Sequence, residues 1–232
     1  RSMQLINATR MVAGYTMGPE PSGRELLVVV IKGTFRFPLP DEPGGQFALA
    51  DEQQPLVMAD TFTGEPGLSA PLYEADFVPR KAACDILLLG SAYAPQGRPA
   101  TRVEVGLRVG NWHKTMAVMG PRHWEWSPGR VNASPPGLFV RQPISYDVAF
   151  GGVDARHEDP AEHDAFMANP VGRGFHRHLG PDWVAGALLP ATEEVDQPVQ
   201  DPRGNYRPMA FGPVGRGWAA RSCFAGTYDD VW

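Results

Sequence analysis

His157, His163, His176 and His178 crowd one stretch in the second half of the chain, with Glu158 and Asp159 beside the first of them. Imidazole and carboxylate are ligands that zinc and iron take, so this stretch has the ingredients of a metal-dependent enzyme on a β scaffold. The spacing is less favourable. No two histidines stand one helical turn apart with a glutamate between, the arrangement that presents two ring nitrogens and a base to one ion. Asp159 also has a structural use, as the cap of a helix that Pro160 would open. The competing reading is a solvated loop and helix start, and the pattern favours it.

Other reactive residue types are present without their partners. Ser91, Ser127, Ser134, Ser145 and Ser222 are available hydroxyls, but none sits in a Gly-x-Ser-x-Gly elbow. Gly90-Ser91-Ala92 lies inside an apolar run and reads as a tight strand crossing. Glu193-Glu194 and Asp229-Asp230 are neighbouring carboxylates, whereas glycoside hydrolysis needs two that face each other across a sugar. Such pairs read as a solvated loop or a helix N-terminus. Gly151-Gly152 and Gly172-Arg173-Gly174 are weak matches to phosphate-cradling loops, because neither follows a strand and opens a long helix. No catalytic residue and no cofactor is assigned on these grounds. Trp112, Trp124 and Trp126 can anchor an interface or fill a core, and core is the simpler expectation for each.

The elements that must position these residues are strands and loops. The chain of 232 residues has 26 glycines and 24 prolines, both poorly tolerated inside helices. The expected fold is all-β or β-rich α+β. Its antiparallel sheets would be sandwich- or barrel-like, with long Gly/Pro-rich loops and one or two short helices. A single domain over 3–232 is expected, with a division into two subdomains open near 127–137. Arg1-Ser2 reads as a cloning remnant before Met3. A net charge of −5 argues against nucleic-acid binding, which needs a basic face. A local basic patch at Arg173, His176, Arg177 and His178 stays open. No apolar run approaches the ~18 residues of a membrane span. No signal peptide is visible, so the expected location is cytoplasmic. Cys84 and Cys223 form no disulfide framework, and Cys84 is expected to be a buried thiol.

Leu26–Ile31 is continuous and β-branched, predicting a strand buried on both faces that runs on through Phe37. Residues 47–49 and 56–58 are short strand candidates. Ile86–Tyr93 predicts a second buried strand. Between Thr101 and Val109, Val103, Val105, Leu107 and Val109 alternate with polar residues and glycine. This predicts a half-buried antiparallel strand, turned by Gly110-Asn111 into a hairpin with Trp112–Met119. Arg122–Trp126 and Ile144–Phe150 are further strand candidates. Asp159-Pro160 with Glu162 resembles a capping box and predicts a helix ended by Asn169-Pro170. A second short helix or turn is expected over Pro181–Ala187.

The glycine-anchored motifs carry a resemblance. In order they are Val30-Ile31-Lys32-Gly33-Thr34-Phe35, Pro79-Arg80-Lys81 with Cys84-Asp85 and Ile86–Gly90, and Tyr93-Ala94-Pro95. Gly120-Pro121-Arg122-His123-Trp124, Tyr146 with Ala149-Phe150-Gly151-Gly152, and Asn169-Pro170-Val171-Gly172-Arg173-Gly174 follow. Phe211-Gly212-Pro213 and Arg221 with Gly226-Thr227-Tyr228-Asp229 complete the set. Together they resemble a bacterial family of unknown function encoded beside type VI secretion genes, near VgrG spike proteins and effectors with PAAR tips. The resemblance runs from Asn7 to Trp232. It departs at Lys81-Ala82 and Pro121-Arg122, and family members usually continue past the Gly-Thr-Tyr-Asp motif.

The resemblance implies a non-catalytic adaptor or chaperone. Its partners would be a PAAR-bearing effector and the VgrG spike. On this reading Tyr146, Phe150, Asn169, Arg173 and Phe175 are the candidate partner-binding residues, because glycine, arginine and aromatics concentrate there. The competing role for Arg173 is an internal brace bonding loop carbonyls.

Overall fold

A computed structural model describes residues 4–20, 22–38, 45–79, 84–219 and 221. Ser222, Cys223, the Gly226–Asp229 motif with Asp230, and Trp232 lie outside them. The chain forms two compact units, one of residues 1–61 and 73–81, the other of 62–72 and 82–232. The segment 127–137 lies inside the second unit, where Gly129 at φ 77° turns a hairpin between Trp124–Ser127 and Arg130–Ala133.

In the first unit Glu25–Lys32 pairs antiparallel with Val12–Pro19. Alternate side chains of a strand leave opposite faces. Leu26, Val28 and Val30 take the half-buried face, which also holds Gly14. A methyl at Gly14 would strike the Leu56 and Phe77 side chains, so its absence lets them close on the ribbon. The other face carries Tyr15 opposite Val29, Met17 opposite Leu27, and Ile31; all five are exposed. The sequence predicted burial of both faces, and only one is covered, because no described segment layers onto the second. Gly33 and Thr34 interrupt the strand before Phe35–Arg36, which pairs with Ala48–Leu49. Residues 56–58 form no strand.

The second unit holds all the buried hydrophobic residues described. Its hairpin of Arg102–Val109 and Trp112–Met119 forms as the alternation predicts, with Val109 opposite Trp112 and Gly110 at φ 58°. Thr192–Glu193 adds a third antiparallel strand beside Ala117 and Val118. Val103, Val105 and Leu107 pack onto a core that includes Met116, Val118, Phe139, Ile144 and Phe211. A second cluster gathers Trp124, Phe150, Val184, Leu189 and Val199. Trp124 is fully buried and Trp126 packs beside it, whereas Trp112 is half exposed. The fold is strand-rich and mainly antiparallel, with a short α-helix at Pro181–Val184.

Several expected elements differ. Ile86–Leu89 forms no strand, and each of the four is exposed; only Ser91–Tyr93 pairs, with Arg141–Pro143. Ile144–Phe150 is broken by a 3₁₀ turn at Tyr146–Val148. The Asp147 carboxylate draws the chain inward there, accepting from Ala70 N, Thr63 Oγ1 and Ser145 Oγ. The helix expected after Asp159 is one 3₁₀ turn, Pro160–Glu162. Asp159 does cap it, accepting from Ala161 N, but Asp164–Ala165 then pairs with Val153–Asp154 and pulls the chain extended. Cys84 is exposed, not buried.

Candidate functional site

Two glycine loops meet around Asn169. Phe150–Gly151 and Arg173–Gly174 pair as a short parallel bridge. Asn169 is fully buried, and its amide nitrogen donates to the Tyr146 carbonyl at 2.9 Å and the Phe150 carbonyl at 3.0 Å. Its backbone carbonyl accepts from Gly152 N at 2.9 Å. Gly151 has φ 147°, and a side chain there would collide with the Asn169 carbonyl. Gly172 is equally hemmed, by the Asn169 amide and the Ala149 carbonyl. These glycines are the ones the close approach requires.

The five expected partner-binding residues come together here, with different exposures. Phe150 is fully buried, edge-on to Phe166 and Tyr206. Tyr146 is buried against Trp218, and burial raises its phenol pKa, partly offset by Arg207. Arg173 and Phe175 are half-buried. Tyr146, Phe150 and Asn169 therefore shape the loop, and Arg173 and Phe175 are the members with surface to offer.

Arg173 lies near a buried ion pair. Arg122 donates to Glu193 at 2.7 Å and to the Pro190 carbonyl at 3.1 Å. Glu193, expected in a solvated loop or at a helix N-terminus, is buried on the strand at Thr192–Glu193 and also accepts from Val199 N. Arg173 Nε has no hydrogen-bond partner, and no acid among the described residues pairs with its guanidinium. Burial, with Arg122 adding to it, lowers the Arg173 pKa. Among the described residues no carbonyl accepts from the Arg173 guanidinium. Sequence reading missed Arg122 and Glu193 as a pair, since 71 residues separate them.

The histidines gather around a residue not singled out from the sequence, Asp154. It is buried and accepts from Arg177 N at 2.9 Å and His178 N at 3.0 Å. His178 Nδ1 lies 3.3 Å from one carboxylate oxygen and His176 Nδ1 4.0 Å from the other. Burial works to raise the Asp154 pKa, but the two backbone donors and the His176 and His178 rings hold it below the ordinary value. Burial pushes His176 down, opposed by Asp154 and reinforced by Arg156. His157 stacks on His178 with ring centres 5.0 Å apart, and His163 Nε2 meets the His157 carbonyl. Among the described residues no group of three or more His, Cys, Asp or Glu is placed to hold a metal ion. The basic patch left open here is interleaved with acids, Arg177 pairing with Asp164 at 3.2 Å.

Three of the candidate hydroxyls are committed elsewhere. Ser134 Oγ accepts from His123 N, Ser145 donates to Asp147, and Ser91 accepts from Arg141. No described serine bonds a histidine ring. No helix among the described residues is long and apolar enough to cross a membrane.

Residues 22–232 match the model of a family described as uncharacterized protein conserved in bacteria, DUF2169, and the chain belongs to that family. No curated protein and no solved structure matches it.

Proposed function

We propose that this protein is a non-catalytic adaptor that binds a PAAR-bearing type VI secretion effector in the cytoplasm and promotes its loading onto the VgrG spike. The observation that carries this reading is the open apolar face of the Val12–Pro19 and Glu25–Lys32 ribbon. Tyr15, Met17, Leu27, Val29 and Ile31 are all exposed on it, in a unit none of whose described residues is fully buried. Contiguous apolar surface of this kind marks a protein interface. A two-stranded ribbon is marginal by itself and gains from a further layer or strand. The partner's chemistry follows from the type VI resemblance of the motif set. A stable specific complex would bury roughly 1,200–2,000 Å² in total. Separately, in the second unit, Arg173 has no acid partner among the described residues and offers a charge that a partner can meet.

The test is co-expression of the tagged protein with a neighbouring PAAR-bearing effector and with VgrG, followed by size-exclusion chromatography and metal analysis. A stoichiometric complex with the effector is expected. Failure to bind either protein, with zinc or iron in the purified chain, would replace the adaptor by a metal-dependent enzyme using His157, His163, His176 and His178.

A further inference from the structure

Lys114 sits in a cleft of the second unit and pairs with no acid among the described residues. The cleft has a volume of about 450 Å³ and is lined by Trp112, Lys114, Glu194, Asp196, Arg207 and Met209, among others. Lys114 is on the Trp112–Met119 strand. Its ammonium donates to the Ala210 carbonyl at 2.6 Å and lies 5.5 Å from the centre of the Phe211 ring. One carbonyl and one ring leave most of an ammonium's donor capacity unused. Arg207 is exposed and forms no ion pair among the described residues, and its charge is felt by Lys114. Two like charges therefore share one cleft. Glu194 and Asp196 line it too, but neither pairs with either cation.

We propose that this cleft binds a carboxylate group, held between Lys114 and Arg207. A carboxylate accepts from an ammonium and a guanidinium together, and it neutralises cations that otherwise repel. The acids on the cleft wall add repulsion for every extra negative charge. They therefore favour a singly charged carboxylate over dianionic phosphate. Trp112 and Met209 supply apolar contact for the body that carries the group. A free chain terminus and an acidic side chain both present this chemistry. The assignment stands on the second unit alone and does not depend on the adaptor reading.

The test follows the Lys114 titration by NMR in protein labelled at lysine Cε, the signal being identified by its loss in Lys114→Arg. Burial first, and Arg207 second, hold this pKa at about 8, against 10.5 for an ordinary lysine. The other titratable or charged groups facing the cleft are His113, Glu194, Asp196 and Arg207. The probes are N-acetyl-leucine, N-acetyl-glutamate α-amide, N-acetyl-leucine amide and inorganic phosphate, at ionic strength matched with sodium chloride. Either carboxylate probe is expected to raise the Lys114 pKa toward 10.5, and the amide to leave it unchanged. A larger rise with N-acetyl-leucine identifies a chain terminus as the source, and one with the glutamate amide an acidic side chain. Arg207→Gln, at an exposed position, should raise the pKa of the free protein and abolish the further rise. No response beyond that of sodium chloride overturns the proposal. A phosphate response equal to the carboxylate response overturns the assignment to carboxylate.

Discussion

Arg122 and Glu193 meet at 2.7 Å with both side chains shut away from water, and the half-buried guanidinium of Arg173 lies near them. Among the described residues Arg122 alone pairs with the carboxylate, and Arg173 adds a second positive charge close enough for Arg122 to be felt. Removing one partner of a buried pair costs more than the pair itself contributes, because the remaining charge is left uncompensated. Glu193→Gln should lower unfolding stability by about 3 kcal/mol, read from the urea midpoint. A change below about 1 kcal/mol would mean that water reaches Arg122.

Arg173→Ala should behave differently. It removes a guanidinium with no acid partner and relieves repulsion with Arg122, at the expense of some packing of the aliphatic stem. Stability is expected to change by less than about 1 kcal/mol, while effector binding weakens. Loss of folding in this variant would instead make Arg173 a brace of the fold.

Asn169→Ala leaves the Phe150 carbonyl without its side-chain donor in a dry site, and the Tyr146 carbonyl with the 3.2 Å bond from Ala149 N. The expected destabilisation is about 2–3 kcal/mol, measured by denaturant titration. Gly172→Ala, which forces a methyl against the Asn169 amide, should be at least as damaging. If both variants melt like the parent, the junction is not structural.

Val29→Lys combined with Ile31→Lys places charge on the open face of the ribbon. Both sites are more than half exposed, at 51% and 62%, so melting should shift by no more than about 0.5 kcal/mol for each. An effector docked on this face should lose about 2 kcal/mol or more, roughly thirtyfold in affinity. Unchanged affinity, measured by calorimetry, would move the cargo surface elsewhere.

Acid should act in two stages. The folded pKa of His176 is pushed below 6.5, so protonation favours the unfolded chain. Its stabilising effect is complete above about pH 6.5 and falls as pH drops through the folded value. Asp154 is held below the ordinary carboxylate range, so its contribution is present above about pH 3.9 and is lost as pH falls through its lower folded pKa. His176→Gln should flatten the first stage and weaken the second without removing it, because His176 is one of several groups that hold the Asp154 pKa down. The check is the urea midpoint measured from about pH 7 to pH 3.

The hairpin of Arg102–Val109 and Trp112–Met119 was legible because its signals are local. Strict alternation chose the face and Gly110-Asn111 chose the turn. The scarcity of helix followed as directly from glycine and proline. The helix after Asp159 was misread although its cap is real. A cap stabilises one turn, and the pairing of Asp164–Ala165 with Val153–Asp154 outweighs what would follow it. The strand at Ile144–Phe150 failed because Asp147 reaches donors far away in sequence, at Thr63 and Ala70.

The candidate site divides the same way. By itself the sequence determined that glycine, asparagine and arginine would cluster at 146–152 and 169–175, since those residue types are needed where backbones approach closely. Which of them face solvent was decided only in three dimensions. Phe150 and Asn169 disappear into the junction while Arg173 keeps part of its surface. The Leu26–Ile31 run has one apolar face covered and one open, and no local pattern distinguishes them. Side-chain type records how strongly a residue avoids water. Whether another layer is there to cover it depends on segments distant in the chain.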